Sequence, residues 1–114
     1  MTNDTKDFLM QYLGRVAEHF EIEGASTCSF RKRENLMLVL KERSAEAHII
    51  LESLFAAFMK EDRISNDKEK YDKARILWES EHAAAEKDKV EAEKLLVVFC
   101  KANAIKIGNL VIAN

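Results

Sequence analysis

The side chains of this 114-residue chain with the most chemical reach are its histidines, arginines and cysteines, and their spacing limits what they can do together. Arg43-Ser-Ala-Glu-Ala-His48 sets an arginine and a histidine with four residues between them, and Arg75 and His82 have six between them. Imidazole carries a proton near neutral pH and guanidinium steadies phosphate charge, so either pair is a candidate for phosphodiester cleavage. His48 and His82 with a carboxylate, Glu52 or Glu81, form a second set whose donors suit zinc or iron. His48 falls beside the main apolar seam, and no His-x-x-x-His puts two such ligands on one helical face. No metal and no cofactor are therefore expected. Cys28 and Cys100 stand outside any nucleophile motif and read as reduced packing thiols.

The Arg43 to His48 spacing is similar to the short motif of the all-helical HEPN ribonucleases, whose arginine and histidine usually meet across a dimer interface. That resemblance implies a ribonuclease with Arg43 and His48 as its catalytic pair, the alternative to a non-enzymatic protein. Arg31, Lys32 and Arg33, joined by Lys41 and Arg43, form a basic collar that could meet phosphates through counterion release. A small nucleoid-type nucleic-acid binder is thus the second alternative. Against it, Glu34 and Glu42 interrupt the collar and no aromatics interleave it. The whole chain carries 18 basic against 20 acidic residues, so nucleic acid is not an expected partner.

Helices must position all of these groups. From Arg31 to Asn103 no proline or glycine occurs, and apolar residues recur at helical spacing. The pattern predicts a single all-α domain over residues 1–114. Its first helix spans about 5–22, with Thr5 as N-cap and Gly24 as the left-handed residue that closes it. Ala25 to Phe30 is a connector or short strand. A second helix spans about 32–62, although Leu36 to Leu40 is an apolar run that would also suit a buried strand. A third spans about 66–102, opened by a capping box of Asn66 and Glu69. The tail, 104–113, alternates as a strand would.

Tyr71, Trp78, Ala85, Ala92 and Phe99 recur every seven residues and predict a coiled-coil-like seam, interrupted by Glu81 and Asp88. A hairpin turning near residue 64 or 65 would set residue i opposite 129 − i, bringing Arg43 to Glu86 and Asp88, and His48 to Glu81 and His82. The plain reading of that meeting is an interhelical salt-bridge network that fixes register. A helix of 66–102 would be ~55 Å long, more than one small chain can cover. Either the long helices break near residues 43 and 88, or a second copy covers them. A homodimer is expected, with Tyr71, Trp78, Ala85, Ala92, Phe99, Leu110 and Ile112 at the interface. The expected function is a non-enzymatic protein–protein interaction module: an adaptor, an inhibitor or an assembly subunit.

The opening Met-Thr-Asn-Asp-Thr-Lys-Asp is unlike a secretory signal, and apolar runs such as Leu95 to Cys100 fall far short of the ~20 residues that span a bilayer. A soluble, cytoplasmic protein without a membrane partner is expected.

Overall fold

Short polar side chains that can take up a free backbone N–H set where most helices of this chain begin. The computed structural model describes residues 1–107 and contains, among them, five α-helices and no strand. The helices are α1 (Asn3–His19), α2 (Arg33–Arg43), α3 (Ala45–Ser65), α4 (Lys68–Lys73) and α5 (Arg75–Ala102). Two 3₁₀ turns, Ala25–Thr27 and Phe30–Lys32, join α1 to α2, so the connector holds no strand.

The cap of α1 is Thr2 rather than Thr5: its Oγ1 accepts from the Thr5 backbone N–H at 3.2 Å, which starts the helix earlier than expected. The helix also ends earlier, because Glu21 (φ 59) takes the left-handed position that closes it; Gly24 is left-handed too (φ 75) but opens the first 3₁₀ turn. Gly14 has a packing role. A Cβ there would lie 3.3 Å from the Ala25 carbonyl oxygen, so the bare backbone lets the connector lie close on α1.

The expected 32–62 helix is two helices. Ser44 turns out to φ −153, ψ 105, and its Oγ accepts from the Ala47 N–H, closing α2 and capping α3 in one residue. The Leu36 to Leu40 run is helical, with Leu36, Met37 and Leu40 buried. The expected 66–102 helix is also broken, at Ala74 (φ −145, ψ 60), and its first part is capped by Asp67, whose Oδ1 accepts from the Lys70 N–H. Asn66 instead finishes α3 by donating its side-chain amide to the Asp62 carbonyl at 2.9 Å. No break occurs at residue 88, and α5 runs its 28 residues uninterrupted, ~42 Å at 1.5 Å per residue.

α3 is the central rod. α5 packs along one flank and α2 along the other, and α1 lies against both α2 and α3. Leu9, Tyr12, Leu13, Val16 and Ala17 of α1 meet Leu40, Leu51, Leu54 and Leu96 in a core where each is 0 % exposed. Each such leucine removed from water contributes roughly 2–3 kcal/mol. α3 and α5 run antiparallel, since contacts pair Ile64 with Trp78, Glu61 with His82 and Phe58 with Lys89. The hairpin turns later than residue 64 or 65 because α4 is folded into the connection.

That later turn overturns the 129 − i register. Arg43 does not reach Glu86 or Asp88; it donates to the Phe20 carbonyl at 3.2 Å. His48 does not reach Glu81 or His82; it pairs with Glu52, one turn along α3, at 3.2 Å. Ala85, Ala92 and Phe99 of the seam are buried within the single chain, at 1, 7 and 5 % exposure, whereas Tyr71 and Trp78 at its start are half-buried. Of the tail, Ala104 to Ile107 form no strand, Ile105 tucks into the core, and residues 108–114, with Leu110 and Ile112, lie outside the described residues.

Candidate functional site

Among the described residues, titratable groups meet most densely between α3 and α5, near their α4 end. Ala85, small and buried, lets the two helices approach there. Glu61 projects from α3, and His82, Glu86 and Lys89 project from successive turns of α5. His82 Nε2 stands 3.0 Å from Glu61 Oε1 and 3.6 Å from Glu86 Oε1. Lys89 Nζ stands 3.3 Å from Glu61 Oε2 and 3.8 Å from Glu86 Oε2. Glu61 and Lys89 are largely buried, at 15 and 20 % exposure, so these attractions are less screened than a surface pair.

Two aromatic supports fix the geometry. The His82 ring stacks on Trp78, with centroids 4.8 Å apart and planes 8° from parallel. Trp78 is itself held, because its indole N–H donates to the Ile64 carbonyl at 2.7 Å and its edge meets Tyr71 at 5.0 Å. In one continuous helix Tyr71 and Trp78 would lie ~10.5 Å apart along the axis. The break at Ala74 is what folds Tyr71 back onto Trp78 and brings the Lys70 ammonium to within 2.7 Å of the Glu81 carboxylate. On the other side, Lys89 Nζ lies 4.8 Å above the Phe58 ring, a cation–π contact.

Burial would push the Glu61 carboxyl up, but the Glu86 carboxyl beside it, the Lys89 ammonium and the His82 ring together hold it below the usual range. One turn beyond Lys89, Glu93 is 5 % exposed and its Oε2 has no hydrogen-bond partner. Burial pushes its carboxyl up to about 7, with Lys89 pulling the other way.

The residues singled out for chemistry are not gathered. Among the described residues no hydrogen bond or ion pair joins Arg43 to His48, and Arg75 pairs with Glu79 while His82 faces Glu61. His48 and His82 sit in different clusters. Arg33, central to the basic collar, is turned inward: it donates to the Phe30 carbonyl at 3.0 Å and lies 4.1 Å over the Phe30 ring, while Arg31, Lys32, Lys41 and Arg43 stay exposed. Both cysteines are free thiols, and burial pushes Cys100 up to about 11, far from a reactive thiolate. Spacing alone misses Glu61 and Lys89, although the His82, Glu86, Lys89 series at one face of α5 was open to view.

The second feature is apolar. Viewed down α3, Ile49 lies opposite the buried stripe of Leu51, Leu54 and Phe58, and it is 63 % exposed. Beside it a groove of about 370 Å³ runs between α2 and α3, lined by Met37, Leu38, His48, Phe55, Ala56 and Met59 among others. On the outward side of α5, Ile76, Leu77, Leu95 and Val98 are all exposed.

No family model matches the chain, and comparison with curated proteins and with solved structures finds no match. Among the described residues no helix is long and apolar enough to cross a membrane.

Proposed function

We propose that the chain is a non-enzymatic helical interaction module and that a second copy of itself is the first protein it binds. The observation behind this reading is the outward side of α5, where Ile76 is 86 % exposed, Val98 65 %, Leu95 59 % and Leu77 53 %. Covering such side chains is worth roughly 25 cal/mol per Å² of apolar surface.

Their placement favours self-association. The four residues stand in pairs near the two ends of α5, with Ser80, Ala83, Ala84, Lys87 and Glu91 between them. An antiparallel second copy would set Ile76 and Leu77 against Leu95 and Val98 twice over, the self-complementary contact that two-fold symmetry requires. Adaptor, inhibitor and assembly-subunit roles would all use the same stripe, with another helix in place of the second copy.

Light scattering on a dilution series tests the reading. The wild type is expected to shift from dimer to monomer on dilution, and Leu95→Asp with Val98→Asp is expected to be monomeric throughout with an unchanged helical circular dichroism spectrum. A wild type that stays monomeric at millimolar concentration would remove self-association. A dimer indifferent to both substitutions would move the interface elsewhere.

A further inference from the structure

We infer that Glu61, His82 and Glu86 form a binding site for a divalent transition-metal ion, zinc foremost, and that Lys89 is the resident cation the metal displaces. The donor set is one imidazole nitrogen and two carboxylate oxygens, which suits zinc and leaves a fourth position open. One ligand atom from each residue lies within 4.8 Å of the others. A tetrahedral ion with bonds near 2.0–2.1 Å needs its ligands about 3.3 Å apart. The 3.0 Å from His82 to Glu61 and the 3.6 Å from His82 to Glu86 bracket that value, so only tenths of an ångström of movement are needed along these two edges.

The scaffold is organised before any ion arrives. His82 and Glu86 stand one turn apart on α5, Glu61 faces them from α3, and the stacked Trp78 limits rotation of the imidazole. Lys89 shows that the position attracts positive charge, since its ammonium lies against the same two carboxylates. Once displaced, Lys89 has a second place to go. Glu93, one turn further along α5 and within electrostatic reach of Lys89, keeps a buried oxygen without a partner. An ion at Glu61, His82 and Glu86 would therefore leave the charges balanced: two carboxylates facing the dication, and Lys89 facing Glu93.

The test is zinc titration of chelator-stripped protein by calorimetry, with cobalt as a spectroscopic substitute. The expected result is one ion per chain, visible cobalt bands of a low-coordinate site, and a rise in melting temperature. His82→Ala and Glu86→Gln should each weaken binding at least about tenfold. Lys89→Met, which removes the competing ammonium, should tighten it severalfold. Glu86 is half exposed, so Glu86→Gln decides the matter if His82→Ala does not fold. Absence of one-to-one binding at millimolar zinc overturns the inference, as does binding that survives Glu86→Gln or weakens in Lys89→Met. None of these readouts depends on the chain forming a dimer.

Discussion

Glu21 and Ala104 occupy the same position in two copies of one helix ending. After α1, the Ile22 N–H donates to the Ala17 carbonyl at 3.1 Å and the Glu21 N–H to Glu18 at 2.9 Å; after α5, Ile105 donates to Cys100 at 2.8 Å and Ala104 to Lys101 at 3.4 Å. Both endings are Schellman motifs, and in each the residue that follows, Ile22 or Ile105, is buried at 8 % exposure. The left-handed residue is not glycine in either, with φ 59 at Glu21 and φ 54 at Ala104. A side chain in that conformation costs about 1–2 kcal/mol, partly offset by the greater freedom glycine would have when unfolded. Glu21→Gly and Ala104→Gly are each expected to stabilise the fold by about 0.5–1 kcal/mol and, being at different helix ends, to add. Urea unfolding of the single and double variants checks this, and destabilisation by both would mean the motifs are not formed as described.

Ser44 carries the joint between α2 and α3 alone. Its Oγ accepts from the Ala47 N–H at the start of α3, and its backbone N–H still closes α2 on Leu40 at 2.8 Å. Ser44→Ala is therefore expected to cost about 1 kcal/mol. Ser44→Asp should retain the cap and most of the stability, since a carboxylate at a helix N-terminus also meets a favourable dipole. Equal losses from Ala and Asp would show that the serine matters for something other than capping.

The contrast between Ser44 and Ala74 explains what could be read in the sequence. Helical periodicity made the all-α class plain, and Ser44 followed by Glu46 in a first turn was a visible cap signal hidden inside a long apolar phase. Ala74 carries no such mark. Alanine is the best helix former, and it lies outside the helical region only because Trp78, Tyr71, Lys70 and Glu81 find partners when α4 folds back. That tertiary preference lengthens the connection and shifts every pairing of α3 with α5. The charged cluster of the hairpin was thus expected in kind but with the wrong members: Arg43 and His48 in place of Glu61 and Lys89.

The heptad seam makes a separate prediction about packing. Ala85 is 1 % exposed beside the Glu61 and His82 contact, so it sets how closely α3 and α5 approach. Ala85→Leu forces extra methylenes into that gap and is expected to destabilise the single chain by about 1–3 kcal/mol. The loss should be independent of protein concentration, because the seam lies within one chain. A loss that vanishes in concentrated solution would return Ala85 to an interface between chains.

Glu93 sets the last prediction, on pH. Its carboxyl is pushed up to about 7 by burial, against an ordinary 4.5, so over that interval the folded chain holds a proton that the unfolded chain has lost. Stability from this group is intact below pH 4.5, declines as pH rises from 4.5 to 7, and stays reduced above. Glu61 works in the opposite sense: its carboxyl lies below the usual range, so its contribution is present above pH 4.5 and fades as acid approaches its folded value. Between them the two carboxyls place the greatest stability near pH 5, with a decline toward neutrality that belongs to Glu93. Replacing the ionisable group by an uncharged isostere should remove that decline. Glu93→Gln is expected to stabilise the protein by up to about 3 kcal/mol at pH 8 and to change little at pH 4, from 1.36 kcal/mol for each pH unit between the two values. Urea unfolding at both pH values measures the difference. An equal effect at each would mean that Glu93 titrates alike in the folded and the unfolded chain, its buried charge answered by Lys89.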